Sequence, residues 1–78
     1  MDHIYIEYNF VVEPTAPGTE ILIAELGFAG FESFVENENG VTAYIQKEDW
    51  NADILEYVSV LKSEEFAITF DKNEVAQT

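Results

Sequence analysis

The sequence predicts one α+β domain in which a four-stranded antiparallel sheet carries two helices on one face. Residues 4–12 alternate from side to side, the pattern of a strand with one buried face. The dipeptide Asn39-Gly40, the strongest short hairpin signal, separates two further alternating stretches. Helical periodicity follows the first strand and recurs before the last, so the element order is β-α-β-β-α-β.

The first strand presents its apolar side chains in period two and ends at a proline-rich break. Residues 14–18, with proline at both 14 and 17, interrupt the alternation. The inward side of the strand carries Ile4, Ile6, Tyr8, Phe10 and Val12.

The first helix begins at Pro17 or at Thr19, because proline suits a first helical turn and threonine can cap a shorter helix. Gly27 stands where a left-handed residue closes a helix, so the helix is predicted to end there. Its apolar stripe consists of Leu22, Ile23 and Leu26.

The second and third strands, residues 31–38 and 41–46, form a hairpin whose register follows from its apolar side chains. A two-residue loop places Glu36 opposite Ala43, on the buried side. A three-residue loop, Glu38-Asn39-Gly40 with Gly40 in a bulge, brings both apolar sets to one side. The sequence therefore predicts the bulged loop, with Glu32, Phe34 and Glu36 outward and Phe31, Ser33, Val35, Val41, Ala43 and Ile45 inward.

A second helix is predicted from Asp49 or Asn51, either of which can cap it, to about Leu61. Ile54, Val58 and Leu61 recur at the spacing of one helical face. Residues 63–65 form a turn, and residues 66–71 alternate as the last strand.

Right-handed crossovers arrange these elements as a ferredoxin-like fold, with sheet order 4-1-3-2 and both helices on one face. The domain spans residues 1–71, and the polar residues 72–78 begin a linker. The predicted core consists of Ile4, Ile6, Tyr8, Phe10, Leu22, Leu26, Phe31, Val35, Ile45, Ile54, Val58, Phe66 and Ile68.

Charge is the most informative property of the composition. Sixteen Asp and Glu stand against three Lys and no Arg, giving a net charge of −13. Such a surface repels phosphate backbones and anionic lipid and attracts basic proteins; acidity that serves solubility alone is the alternative interpretation. No apolar run reaches the ~18 residues of a membrane span, and the lack of cysteine favours a reducing, cytoplasmic compartment. We therefore expect neither nucleic acid nor membrane as a partner.

Residues that carry catalysis or bind metals do not assemble into a motif. His3, the one histidine, lies at the N-terminus, where we expect a solvated side chain rather than a general base. The hairpin fails as a calcium loop, because Gly40 at its sixth position puts Val35 in place of the first aspartate ligand. Residues 27–31 match neither a phosphate-binding loop nor the RNA-recognition signature, whose basic residue is replaced by Leu26. We expect no catalytic, cofactor-binding or metal-binding residue.

The sheet face without helices is the predicted binding surface. Aromatic side chains set among carboxylates can anchor a basic protein, with the rings at the centre and the charges at the rim. The alternative is that a following segment of chain covers this face. The predicted partner-binding residues are Tyr5, Glu7, Asn9, Glu32, Phe34, Glu36 and Tyr44.

Four runs of the sequence resemble a known family when they are taken in order and spacing. Residues 5–10 read YIEYNF, residues 20–27 EILIAELG, residues 30–36 GFESFVE and residues 43–45 AYI. Together they resemble the N-terminus of bacterial ribosomal protein L-eleven methyltransferases, in particular the Bacteroidetes form. The resemblance covers essentially the whole chain.

The resemblance implies the substrate-recognition domain of a larger enzyme. In that family a ferredoxin-like N-terminal domain binds the eleventh large-subunit ribosomal protein, which is basic and binds RNA. A linker then leads to a C-terminal methyltransferase domain that binds S-adenosylmethionine and trimethylates amino groups. No catalytic or cofactor-binding residue is carried over, because that domain lies downstream. The fragment itself is thus expected not to be an enzyme, and the parent to methylate lysine or N-terminal amines.

Two other functions fit the sequence less well. A small-molecule regulatory domain of the amino-acid-binding type shares the element order, but its ligand-binding glycine turn follows strand one, where this chain has the proline-rich residues 15–18. A stand-alone enzyme lacks any supporting constellation of residues.

Overall fold

The structure, a computed structural model, describes residues 3–77, with side chains for residues 4–76. The prediction for the His3 side chain falls outside these. The described strands are β1 (His3–Glu13), β2 (Ser33–Glu36), β3 (Gly40–Gln46) and β4 (Ala67–Gln77). The α-helix α1 (Thr15–Ala29) follows β1. Residues 47–62, here the 3₁₀ segment, contain the 3₁₀ turns Lys47–Asp49, Ile54–Tyr57 and Ser59–Lys62.

The four strands form one antiparallel sheet in the order β2-β3-β1-β4. This is the predicted order 4-1-3-2 counted from the other edge, so the α+β, ferredoxin-like arrangement is confirmed. The long strand β1 pairs with both β3 and β4, and Phe10 lies opposite Val41 on one side and Phe70 on the other. β1 is therefore the centre on which the sheet is assembled.

The core lies between one face of the sheet and the layer formed by α1 and the 3₁₀ segment. Trp50 closes part of it, since its indole N–H donates a 2.9 Å hydrogen bond to the Tyr8 hydroxyl. Two predicted core residues are exposed: Ile4 (38%) and Val35 (58%). Phe66 and Ile68 are partly buried against the core, whose buried members are Ile6, Tyr8, Phe10, Val12, Leu22, Leu26, Phe31, Val41, Ala43, Ile45, Ile54, Val58 and Val60.

Helix α1 ends later than the sequence predicted. Gly30, at φ 119°, is the left-handed terminal residue, and its N–H bonds to the carbonyls of Leu26 and Gly27. The N–H of Phe31 also bonds to Leu26, which completes a Schellman motif and turns the Phe31 ring into the core. The prediction of an end at Gly27 was therefore wrong. Ala16 has extended angles, so regular helix begins at Pro17, one of the two predicted starts.

The predicted second helix is wrong, because the 3₁₀ segment stands in its place. Its N–H groups bond three residues back, as from Val58 to Leu55 (3.1 Å). Val58 and Val60 are both buried, and a spacing of two residues cannot lie on one face of an α-helix. The carboxylate of Glu25 accepts the Val60 N–H at 2.9 Å, a bond that replaces a helical one.

The hairpin register differs by one residue from the predicted register. Glu36 pairs with Val41, so the loop between the last paired residues comprises residues 37–40, of which Gly40 also begins β3. The Asn37 side chain closes this loop by accepting the N–H groups of Asn39 and Gly40, each at 2.9 Å. The prediction of a three-residue bulged loop was wrong because it rested on hydrophobic alternation, which does not reveal these two side-chain hydrogen bonds.

The shifted register turns the side chains of β2 over. Phe34 pairs with Ala43 and packs against the core, whereas Ser33 and Val35, predicted inward, are exposed. Gly40 does not adopt a left-handed conformation. Glycine is needed at this position because the Cβ of any other residue would lie 2.2 Å from the Phe10 carbonyl oxygen.

Strand β4 continues beyond the predicted end at Asp71 and pairs with β1 as far as Gln77 opposite His3. Residues 72–77, which the sequence assigned to a linker, thus belong to the sheet; a linker beyond them stays a prediction. Hydrophobic alternation could not identify residues 72–77 as part of the strand, because this part of β4 is mostly exposed. No helix of residues 3–77 has the length and apolarity needed to cross a membrane.

Candidate partner-binding face

The face of the sheet that points away from α1 is the candidate site and is called the open face. Strand pairing places its side chains in rows that cross the sheet, such as Ser33, Tyr44, Glu7 and Asn73. Alternation along the strands assigns to it Tyr5, Glu7 and Asn9 of β1, Ser33 and Val35 of β2, Thr42, Tyr44 and Gln46 of β3, and Asp71, Asn73 and Val75 of β4.

Glu7 is the centre of the polar contacts on the open face. One carboxylate oxygen accepts the Tyr44 hydroxyl at 2.9 Å, and the other accepts the amide of Asn9 at 3.2 Å. Asn73 donates to the same oxygen at the longer distance of 3.5 Å. Contacts from three strands thus hold the Glu7 side chain in place.

Asn9 connects this centre to both sides of the sheet. Its amide donates to Asp71 at 2.9 Å, and its carbonyl accepts the Thr42 hydroxyl at 2.7 Å. The Asn9 amide therefore lies between the carboxylates of Glu7 and Asp71, and its donated bonds offset part of their mutual repulsion.

Both tyrosines of the open face interact with carboxylates. Glu7 raises the pKa of Tyr44 above its ordinary value, chiefly by accepting its hydrogen bond, then through partial burial and negative charge. Glu32 raises the pKa of Tyr5 in the same way. Gln46 donates to Glu32 at 3.2 Å and so holds that carboxylate at the edge of the open face. Both rings therefore remain neutral phenols over the physiological range.

The lysines lie on the helix-bearing side. Lys47 pairs with Glu74 at 3.1 Å, and Lys72 lies 4.4 Å above the Trp50 ring. Both contacts are on the core side of the sheet, because Glu74 and Lys72 pair with the inward residues of β1. Lys62 belongs to the 3₁₀ segment. Among the described residues, the open face thus presents carboxylates and no cation.

The centre of the open face is a shallow depression of about 540 Å³. The rings of Tyr5 and Tyr44 line it together with Glu7, Ser33 and Val75. It combines aromatic surface with a carboxylate on a flat, solvent-facing sheet. Such a surface is suited to a protruding side chain of a protein partner rather than to an enclosed small molecule.

Five of the seven predicted partner-binding residues come together here: Tyr5, Glu7, Asn9, Glu32 and Tyr44. Phe34 and Glu36 do not, because the shifted register places them on the core-side row with Ala43 and Val41. The sequence reasoning missed Thr42, Gln46, Asp71, Asn73 and Val75. The outward alternation of β3 could have identified the first two, and no clear signal marked residues 73 and 75 as strand.

Side chains that could hold a metal ion do not form a cluster in residues 3–77. No three His, Asp or Glu side chains there are grouped as metal ligands.

Comparison with known proteins confirms the resemblance seen in the sequence. The chain is 50% identical over 52 residues to a protein of Bacteroides fragilis named ribosomal protein L11 methyltransferase, covering 65% of the chain. It is 54% identical over 44 residues to the protein of that name from Bacteroides thetaiotaomicron, and 33% identical over 64 residues to the one from Chlorobaculum tepidum. The matches cover 55% and 82% of the chain, respectively.

The chain spans only about a fifth of the length of these relatives: the matched parts cover 19%, 16% and 22% of the three proteins. No family model matches the chain, and no solved structure matches it significantly.

Proposed function

We propose that this chain is the substrate-recognition domain of an S-adenosylmethionine-dependent methyltransferase that modifies ribosomal protein L11, and that the open face binds this substrate. The relatives carry the name of that enzyme, and the chain corresponds to about a fifth of each. The methyl donor and the catalytic residues belong to the remainder of the parent. The fragment alone transfers no methyl group, and the parent acts in the cytoplasm, where ribosomal proteins are made.

The observation that carries the proposal is that the open face, in the part of the chain that the structure describes, presents carboxylates beside two tyrosine rings and no lysine. Glu7, Glu32 and Asp71 lie on or beside the open face, while two of the three lysines are engaged on the core side. A protein that binds ribosomal RNA must carry basic surfaces. Opposite potentials accelerate encounter and orient the two proteins as they meet.

Rigid aromatic anchors add the short-range part of the proposal. Tyr44 is held by its bond to Glu7, and the strands fix the backbone on both sides of it. A side chain that is ordered before binding loses less conformational entropy on binding. Tyrosine is also enriched among the residues that dominate the binding energy of interfaces.

Calorimetry of the 78-residue chain against ribosomal protein L11 of Bacteroides fragilis tests the proposal. We expect a dissociation constant in the micromolar range that weakens as salt is raised, because screened charges attract less. Absence of binding heat at low salt contradicts the proposal.

A matched pair of variants identifies the face. Tyr44→Ala removes an anchor of the open face, and Tyr57→Ala removes an exposed tyrosine of the 3₁₀ segment on the other side. We expect the first to weaken binding at least tenfold and the second to leave it unchanged. The opposite result would assign the substrate to the helix-bearing side.

A further inference from the structure

The depression on the open face has an aromatic side chain on each of the two central strands. Tyr5 pairs with Gln46 and Tyr44 pairs with Glu7, so the two tyrosines are diagonal neighbours across the pair formed by β1 and β3. Diagonal neighbours lie roughly 7–8 Å apart. A methylene chain contacts its neighbours at about 3.5–4.0 Å, so a slender, unbranched side chain fits between two residues at this spacing.

The carboxylate of Glu7 lines the same depression and determines the charge of its occupant. An apolar side chain would shield this carboxylate from water without a counter-charge, which costs free energy, and an acidic side chain would be repelled. The lysines of the domain do not supply the counter-charge. Lys47 and Lys72 are engaged on the core side, and Lys62 belongs to the 3₁₀ segment. The depression is therefore suited to a cationic side chain of a partner.

The hydrogen bonds that Glu7 already accepts distinguish lysine from arginine. A carboxylate offers about four acceptor positions, two on each oxygen. Oε1 of Glu7 accepts the amides of Asn9 and Asn73, and Oε2 accepts the hydroxyl of Tyr44. One position thus remains, on Oε2. A guanidinium binds a carboxylate best through two parallel bonds, one to each oxygen, whereas an ammonium needs a single acceptor.

We propose that this depression receives a lysine side chain of the substrate protein, with its methylenes between Tyr5 and Tyr44 and its ammonium at Glu7. The inference rests on the proposed function, since it names the side chain by which the open face recognises the substrate. The rings contact the apolar stem and attract the cation. Glu32, held by Gln46, adds a second negative charge at the rim. A lysine held here serves recognition and is not the one that accepts a methyl group in the same complex.

Conversion of the lysines of ribosomal protein L11 to homoarginine tests the proposal. The conversion retains every positive charge and replaces each ammonium by a planar guanidinium, so long-range attraction is unchanged. In calorimetry against the 78-residue chain, the converted Bacteroides fragilis protein, shown by circular dichroism to be folded, should bind about tenfold more weakly. Equal or tighter binding overturns the proposal. Failure of the unmodified protein to bind would instead contradict the proposed function, so the two failures are distinguished.

Substitution of one wall of the depression locates the lysine. In Tyr5→Leu, the difference in affinity between unmodified and converted L11 should fall below about twofold, because the two changes act on the same contact. The control Val11→Ala alters an exposed residue of the same strand, about 20 Å from Tyr5, and should retain the tenfold difference. A difference that persists in Tyr5→Leu means that the sensitive lysines bind elsewhere, and it overturns the proposal.

Cross-linking without a spacer identifies the contact in unmodified L11. A carbodiimide joins a carboxylate to an amine as an amide, and the water that is lost converts the carbodiimide to a urea. Mass spectrometry should find Glu7 or Glu32 joined to a lysine of L11, and the double variant Glu7→Gln, Glu32→Gln should lose these products. Cross-links from neither carboxylate, or only from carboxylates of α1 and the 3₁₀ segment, contradict the proposal.

Discussion

The hydroxyl of Tyr44 donates a 2.9 Å hydrogen bond to Glu7, and this bond links the two central strands across the open face. Because the phenol proton is already engaged by a carboxylate of the same domain, the ring rather than the hydroxyl proton is left for a partner. The second oxygen of Glu7 is held by Asn9. The carboxylate is thus oriented before any partner arrives, and its negative charge is only partly offset by neutral donors.

Glu7→Gln should lower the pKa of Tyr44 toward its ordinary value near ~10, because a neutral acceptor no longer opposes the phenolate. Titration by tyrosinate absorbance, with Tyr44→Phe to assign the signal, measures this. The control Asp71→Asn alters a carboxylate that does not bond to Tyr44 and should leave the value in place. An unchanged titration in Glu7→Gln contradicts the assignment.

The same contact predicts how stability changes at high pH. The pKa of Tyr44 is higher in the folded than in the unfolded state. The contribution of its hydrogen bond to the free energy of unfolding is therefore complete below about pH 10 and is lost as the pH rises through the folded-state pKa. The free energy of unfolding should therefore decline in that alkaline range, and less so in Glu7→Gln. Urea unfolding at a series of pH values measures the decline; equal slopes in both proteins would show that the bond contributes nothing.

Phe10→Ala should destabilise the domain by about 3–5 kcal/mol, because it leaves a cavity at the centre of the core. Phe10 is 2% exposed and its ring stacks on Tyr8 at 5.6 Å. Native domains have roughly 5–15 kcal/mol of unfolding free energy, so this loss should shift the midpoint of urea unfolding to a much lower concentration. Phe28→Ala, at a 98% exposed position, should change stability by less than about 0.5 kcal/mol.

Two glycines should respond to alanine with opposite signs. In Gly40→Ala the new Cβ would lie 2.2 Å from the Phe10 carbonyl, so the hairpin must move and about 1–3 kcal/mol should be lost. In Gly27→Ala the nearest side-chain atom is 3.9 Å away, inside a helix, and about 0.5–1 kcal/mol should be gained. Thermal unfolding of both variants measures the difference; two losses of equal size would contradict it.

These glycines also show what the sequence could and could not predict. Period-two alternation located β1 and β3, and crossover handedness then determined the sheet order, since both depend on backbone geometry that every sequence shares. The end of α1 depended on a choice between two glycines one helical turn apart. That choice was decided by where Phe31 enters the core, which is a tertiary contact.

The open face was predicted in part for the same reason. β1 and β3 contributed Tyr5, Glu7, Asn9 and Tyr44 as expected, because their register is determined by buried apolar residues. The position of Phe34 depended on two hydrogen bonds that the Asn37 side chain accepts in the loop, and the hydrophobic pattern gives no sign of them. The contribution of β4 was missed because polar residues in an exposed edge strand resemble a linker.

Glu25→Ala should destabilise the domain by about 1 kcal/mol, because it removes the acceptor for the Val60 N–H and for the Ser59 hydroxyl. These bonds join α1 to the last 3₁₀ turn in place of a second helix. Hydrogen exchange should show faster opening of residues 59–62 in this variant. Glu20→Ala, on the exposed side of α1, should leave both stability and exchange unchanged; equal effects of the two would show that Glu25 has no special role.

Two triple variants of equal net charge test whether the carboxylates of the open face bind the substrate. Glu7→Gln, Glu32→Gln and Asp71→Asn remove three charges at the open face, while Glu20→Gln, Glu64→Gln and Glu65→Gln remove three from α1 and the turn before β4. Each set changes the net charge from −13 to −10, since three negative charges are lost.

If net charge alone attracted ribosomal protein L11, both sets would weaken binding equally. If the open face makes the contact, only the first set should weaken binding, by about 0.6–3 kcal/mol for three charges, since exposed charge contacts contribute roughly 0.2–1 kcal/mol each. The first set should also bind with a smaller salt dependence, because fewer screened pairs remain. Calorimetry at two salt concentrations measures both quantities, and a stronger effect of the second set would place the substrate on the helix-bearing side.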